Sequence, residues 1–430
     1  MPTQITTQDN LSQYCLQSES QLLMHNLTER IEDGDYIVGR METGEFVALP
    51  EVGKIAIDLF RQNYSLQKAS DYLSQEYKVD FDLQSFVESL IEIGFVKAID
   101  GHPFQSHLEE KIAWPWLQPH HVQWLFSRTT KLLYTILLLT ASLTIIIHPS
   151  LIPKYNAFFW STSESLVVFV NTALFITNLA IHEIFHLISA RSLGIPAYIN
   201  FSTRLYELVV QTNVTGLRAV PRHKRYRVYL AGIVWDTIPL SIAILLLAYT
   251  KLPLVTQNIL SSLILLIFFG IVWQFQFYMR TDIYFVVLDL LHCYSLFDDS
   301  IAYVQYLFNR IKHGLFSVRL DTSLSSPLSN LSTSDQWKIK AYTILMVFGS
   351  LIAITLFIAY GIPILLTLFF EAFLSVKQGF ALGDPLLVID GSVVILIEGA
   401  FQIAFVVTFI KNRKAWFSYQ WNQVKLLLAK

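Results

Sequence analysis

Asn178-Leu179-Ala180-Ile181-His182-Glu183-Ile184-Phe185-His186-Leu187-Ile188 sets an H-E-x-x-H pattern inside an apolar stretch, Leu166 to Ala190, that is long enough to cross a bilayer. On a helix, residues four apart share a face, so the imidazoles of His182 and His186 can reach one Zn²⁺ ion while Glu183 stays beside it as the candidate general base. Two histidines that merely pack helices are the weaker reading, because ionisable groups at membrane depth are costly unless they are used.

Composition agrees with a membrane setting. Hydrophobic residues make up 53% of the 430 residues and charged ones 15%, with a mean hydropathy of +0.46, against roughly 25% charge in a soluble domain. A net charge of -2 argues against nucleic acid as a partner, since phosphate binding needs concentrated Lys and Arg. The basic run Arg222-His223-Lys224-Arg225-Tyr226-Arg227 reads as a topology signal. Cys15 and Cys293 lie far apart and imply neither a disulfide framework nor a thiolate metal site. The segment Met1 to Asn10 has no basic start and no apolar core, so no cleaved signal peptide is expected and the polar front end is expected in the cytoplasm.

Charge patterning divides the chain into a polar segment (1–30), a small domain (31–101), an interfacial linker (102–130) and a membrane-embedded domain (131–430). In the small domain, Tyr36-Ile37-Val38 and Phe46-Val47-Ala48-Leu49 flank a Gly44 turn and read as a β-hairpin. Helical spacing follows in Val52, Ile55, Ala56, Leu59 and Phe60, in Leu66, Ala69 and Leu73, and from Leu83 to Ile91 up to a Gly94 stop. The strand Phe95 to Ile99 completes a small winged-helix-like α+β unit. In the linker, Trp114, Trp116 and Trp124 crowd the approach to the first apolar run, as residues lying on lipid headgroups do. His120 and His121 are adjacent, so on a helix their rings diverge by about 100° and make a poor chelate.

The membrane domain is read as mainly α, with about six transmembrane helices: roughly Leu132 to Ile147, Leu166 to Ala190, Val228 to Tyr249, Ile259 to Met279, Ala341 to Phe370 and Val393 to Ile410. Under this count Arg128, Lys131, the 222–227 run, Arg310, Lys312, Lys338, Lys340 and Lys411 to Lys414 fall on one side. That side is then cytoplasmic, with both termini inside a cytoplasmic membrane. The Ser-rich run Asp321 to Ser334 is a flexible linker. His182 lies about sixteen residues past Leu166, roughly 24 Å along the second helix, which puts the metal toward the cytoplasmic leaflet.

A catalytic zinc site takes three protein ligands, so the pattern lacks one. Asp236, Asp282 and Asp289 are the candidates with suitable chemistry. Asp236, an acid inside an apolar run, also suits a different role, bonding a ligand histidine and so orienting it. The β-formers between Ala197 and Leu217 could supply an edge strand that holds an extended substrate.

Residues from about 170 to 300 resemble the site-2 protease superfamily, in particular its peptide-processing branch. The resemblance rests on His182-Glu183-Ile184-Phe185-His186 with Ala190-Arg191 and Gly194, on the basic run before Leu230-Ala231-Gly232, on Asp236 where the family usually has Asn, and on Arg280-Thr281-Asp282-Ile283-Tyr284 followed by Asp289-Leu290-Leu291. It implies that Asp282 is the third zinc ligand and that the 197–217 region forms strands near the metal. The chain departs from the pattern at Ile233, at Gln276-Phe277 and at Ile283, which bears on the turn that carries Asp282. The segment from Asp35 to Ile99 is similar to PqqD-like domains, which bind the leaders of ribosomally made peptides by strand addition. By that resemblance Tyr36 to Val38 is the expected docking edge.

Together these readings point to a zinc metalloendopeptidase embedded in a membrane, maturing a ribosomally made peptide or small protein and working beside a peptide exporter or maturation enzyme. Two alternatives stand. One is a non-catalytic membrane adaptor that hands leader peptides to a separate protease or exporter; the other is regulated intramembrane cleavage of a membrane-anchored signalling protein.

Overall fold

Most of the chain is helical, and among the described residues six helices are long and apolar enough to cross a membrane. These are span I (Arg128–Ile147), span II (Glu164–Arg191), span III (Ala231–Tyr249), span IV (Leu254–Trp273), span V (Thr333–Leu382) and span VI (Pro385–Ala404). The computed structural model describes residues 16–32, 34–41, 43–77, 81–103, 113–204, 207–214, 216–277, 280–292, 296–316, 326–329 and 331–412. Cys15, Cys293 and residues 321–325 and 330 of the Ser-rich run lie outside them.

Local chemistry sets the span ends. Ser127 caps span I, which begins at Arg128, four residues before the expected Leu132, and its hydroxyl accepts the Thr130 N–H at 3.2 Å. Span IV follows Pro253 and stops at Trp273, short of the expected Met279, because Gln274 leaves the helix to bond the turn beyond it. Gly383, at φ +68°, closes span V onto span VI. Span V is 50 residues long and includes a π-helical turn at Phe357–Gly361. At about 1.5 Å per residue it runs about 75 Å, more than twice the roughly 30 Å apolar core, so only part of it lies within a bilayer.

Outward-facing side chains fit lipid. Leu139, Ile146, Phe169, Leu254 and Phe380 are 63% to 74% exposed, a run of bare apolar surface that water would penalise. Between helices, small residues permit close approach: Ala141 and Ala243 pack with Ile244 and Ile264 where spans I, III and IV meet. Asn171 of span II, buried in this apolar setting, bonds through both ends of its amide. It accepts from Trp160 Nε1 and Ser262 Oγ and donates to the Phe158 carbonyl.

The chain divides into two compact units. One comprises Met1–Trp124, Leu187–Asn200 and Thr212–Val228, and the other Leu125–His186, Phe201–Gln211 and Tyr229–Lys430. The first holds the small domain: strands β1 (Leu22–Met24), β2 (Thr28–Glu32), β3 (Asp35–Gly39) and β4 (Phe46–Leu49), helices α1 (Glu51–Arg61), α2 (Leu66–Tyr77) and α3 (Leu83–Glu92), then β5 (Val96–Ile99) and β6 (His102–Pro103). Val38, Leu49, Ile57, Phe60, Leu73, Leu90 and Phe95 form its core. Asp82 caps α3 by accepting the Ser85 N–H, and Gly94 ends it in the left-handed region at φ +73°, where a side chain would strain the turn.

Two strands precede the expected hairpin. β1 pairs with β5, and β2 pairs with β3 in a sheet ordered β2-β3-β4. The small domain's core therefore includes Leu22, Met24 and Leu27, ahead of residue 31. This order corrects the reading of Tyr36 to Val38 as a docking edge: β3 is bonded on both sides, and β2 and β4 are the edges.

The basic run also has a structural use. Arg225 is 1% exposed. It donates to Glu32 at 2.7 Å and to the Arg218 and Val220 carbonyls, while Arg222 lies 2.8 Å from the other Glu32 oxygen. One carboxylate at the end of β2 thus joins the small domain to the segment that carries helix α4 (Arg222–Tyr229). The β-rich region forms a hairpin, β7 (Ala197–Arg204) with β8 (Glu207–Val214).

Candidate metal centre

His182 and His186 stand one turn apart in span II, both buried, and the carboxylate of Asp282 reaches them from the first residue of helix α5 (Asp282–Leu291). Asp282 Oδ2 is 3.1 Å from His182 Nε2 and 3.0 Å from His186 Nε2, and the two Nε2 atoms are 3.3 Å apart. Among the described residues this is the one set of three such side chains whose ligand atoms converge closely enough for a metal ion. Tetrahedral ligands at bond lengths of about 2.0–2.1 Å stand about 3.3 Å from each other, so the three atoms already form one face of such a site.

The hydrogen-bond pattern behind His182 strengthens the fit. Asp236 Oδ2 lies 2.9 Å from His182 Nδ1. A carboxylate there accepts a hydrogen bond from Nδ1–H and so leaves the Nε2 lone pair pointing at Asp282. Lone pairs of nitrogen and carboxylate oxygen then oppose one another at about 3 Å, an arrangement that a cation relieves. For Asp282 itself, burial raises the carboxyl pKa, but His186 and His182, when Nε2 carries a proton in place of that lone pair, outweigh burial and hold it below the usual carboxylate range.

Behind Asp236 stands a chain that motif reading missed. Trp235 Nε1 donates to Asn178 Oδ1 at 3.2 Å, and Asn178 Nδ2 donates to Asp236 Oδ1 at 2.8 Å. Asp236, 3% exposed, ends the chain as a double acceptor. A signal for it exists in the sequence: Asn178 is one turn before His182, hence on its face, and is polar in an apolar helix.

Backbone geometry fixes the rest. A Cβ placed on Gly232 would overlap the His182 ring, so a side chain at this position of span III would push the imidazole aside. The turn that presents Asp282 is held by Gln274, whose side-chain carbonyl accepts the Asp282 N–H at 3.1 Å and whose backbone carbonyl accepts the Thr281 hydroxyl. Arg280 sits in the left-handed region at φ +53°, and the Phe277 carbonyl accepts the Tyr342 hydroxyl at 3.0 Å. These bonds hold Gln274, Phe277 and Thr281 in place ahead of Asp282.

The remaining candidates separate cleanly. Glu183 is buried directly after His182 on the same helix. Asp289 is buried two turns along α5, about 10 Å from Asp282, and takes no part in the convergent set. His120 and His121 are exposed, with ring centroids 4.0 Å apart, and do not join it. Compared with protein-family models, with curated proteins and with solved structures, the chain matches none.

Proposed function

We propose that this chain is a membrane-embedded zinc metalloendopeptidase that matures a ribosomally made peptide, with His182, His186 and Asp282 as metal ligands and Glu183 as general base. The observation that carries the reading is the meeting of the H-E-x-x-H face with a single carboxylate a hundred residues away, at tetrahedral ligand spacing. A bound zinc ion would supply Lewis-acid polarisation of a peptide carbonyl and an acidified water. Glu183 takes the proton from the attacking water and delivers it to the leaving amine. Asp236 keeps the His182 imidazole in the tautomer and orientation that ligation requires.

Resemblance to PqqD-like domains gives the small domain its role, recognition of a leader segment, and the sheet order moves the docking edge to β2. That strand pairs on one side only and carries Ile31, 64% exposed, while the β4 carbonyl of Phe46 already accepts from Arg218. Backbone pairing along Thr28–Glu32 supplies affinity and the exposed side chain supplies selectivity. The basic residues support a reading with both termini in the cytoplasm and the six spans in a cytoplasmic membrane, where a peptide exporter is the natural downstream partner.

Purified full-length protein tests the reading in one preparation. We expect about one zinc per chain, cleavage of a precursor peptide encoded beside this chain, and slowed amide exchange at 28–32 when its leader is added. Absence of zinc with retained leader binding would replace the enzyme by an adaptor for a separate protease. Protection confined to α1–α3 would refute the edge-strand mode.

A further inference from the structure

Three tryptophans crowd the linker, and neither the metal centre nor the small domain uses them. Trp116 and Trp124 are 67% and 63% exposed and Trp114 is 37% exposed. The rings of Trp114 and Trp116 stack, with centroids 6.3 Å apart. Trp114 also sits in the left-handed region at φ +52°, an unfavourable conformation for a bulky residue that calls for a reason. Its effect is to turn two indoles the same way at the surface, while Leu117 alone of this loop is buried.

Two independent rulers give the depth of these rings. Arg191, the last residue of span II and 8% exposed, donates from Nε to the Leu117 carbonyl at 3.1 Å and from Nη2 to the Pro115 carbonyl at 3.4 Å. The Trp114–Leu117 loop is thereby tied to the end of a membrane helix, and the Ala113 N–H donates to the Ala197 carbonyl just past that end. Trp124 lies four residues before Arg128, the first residue of span I, and so within about 14 Å of chain. Spans I and II are consecutive crossings, which puts the start of one and the end of the other on the same membrane face.

We propose that Trp114, Trp116 and Trp124 form an interfacial anchor, seated in the headgroup region of the bilayer that the spans cross. The ligand is lipid. Indole suits this zone because it joins an apolar ring to a polar N–H, which in Trp124 is met by the His121 carbonyl at 3.1 Å, and tryptophan is enriched there. The Arg191 tie explains how an irregular loop holds this depth: its Pro115 and Leu117 carbonyls are satisfied by protein before the surface meets lipid. The linker between the small domain and span I is thus fixed to the membrane surface at three points. This inference does not depend on the peptidase reading.

The test uses the full chain in phosphatidylcholine nanodiscs whose lipids carry bromine either near the headgroup or deep in the acyl chain. Subtracting the fluorescence of the W114F/W116F/W124F variant from that of the parent isolates the three indoles. We expect the difference emission to be quenched at least twofold more by shallow than by deep bromine, and to resist aqueous acrylamide. Should the triple variant fail to fold, a spin label on Trp116→Cys, with Cys15 and Cys293 replaced by Ser, reads depth directly, with oxygen expected to relax it more than a water-soluble nickel chelate. Acrylamide or nickel acting as on a free surface residue overturns the proposal, and so does preferential quenching by deep bromine.

Discussion

Replacing Asp236 by Asn tests the proposed metal centre at its most specific point, because the change preserves size and removes one acceptor. The chain Trp235 to Asn178 to Asp236 has a direction: each member donates to the next, and Asp236 accepts from both Asn178 and His182. The substituted amide has one oxygen and one NH₂. If its oxygen keeps Asn178, its NH₂ faces His182 Nδ1 and drives the proton to Nε2, which destroys the ligand lone pair. If the oxygen turns to His182, two NH₂ groups collide at Asn178, whose own oxygen is held by Trp235. Either way one buried polar contact is lost, at about 1–3 kcal/mol. Expressed in metal affinity, loss of a bond that orients a ligand histidine is typically about 10- to 100-fold. Competition against a fluorescent zinc chelator measures this, with helicity by circular dichroism as the check on folding.

The same logic predicts a rescue. In the double variant Asn178→Asp, Asp236→Asn, the carboxylate now at position 178 accepts from Trp235 and from the amide NH₂ at position 236, while the amide oxygen at 236 accepts the His182 Nδ1 proton. Direction is restored with the charge moved one residue back along the chain of bonds, so zinc affinity should recover at least part of its loss. Wild-type affinity in the single variant, or no recovery in the double, would refute the directional chain.

Three further outcomes follow from the geometry. Glu183→Gln keeps both imidazoles and Asp282, so zinc content should stay near stoichiometric while cleavage falls by about 10²-fold or more, as loss of a general base does; unchanged turnover would remove Glu183 from that role. Asp282→Ala should lose zinc on dialysis against a weak chelator, whereas Asp289→Ala, about 10 Å along α5, should retain it, and elemental analysis of the two variants decides the third ligand. Glu32→Ala strands the buried Arg225 guanidinium without its carboxylate, which should destabilise the unit that contains both by about 3–5 kcal/mol, read as a lower thermal midpoint and faster amide exchange from β2 to β4; Glu32→Gln, which leaves an acceptor, should cost less.

How much of this was legible depended on how far each contact reaches along the chain. The H-E-x-x-H face could be read directly, because a spacing of four residues fixes its geometry on any helix. The six spans could be read from length and apolarity, although their ends were misplaced wherever a polar residue decided them, as Ser127 does at span I and Gln274 beyond span IV. Asp282 could be listed among three acids but not chosen by chemistry, since nothing local tells which of Asp236, Asp282 and Asp289 meets His186. The hairpin Tyr36 to Leu49 was legible and its place in the sheet was not. Thr28-Glu29-Arg30-Ile31-Glu32 contains a single strong hydrophobe, and that residue faces outward, so β2 has no alternation to give it away.

Asp236 is where sequence and structure inform each other most. An acid inside an apolar helix calls for a partner. The structure supplies two partners, and both are donors: the Asn178 amide and the His182 imidazole. With Trp235 holding the Asn178 oxygen, no arrangement of a second amide at 236 satisfies every group, while a carboxylate satisfies all of them at once. The acid at 236 is therefore a consequence of the Asn at 178, and the two residues should change together or not at all if the His182 imidazole is to keep its tautomer.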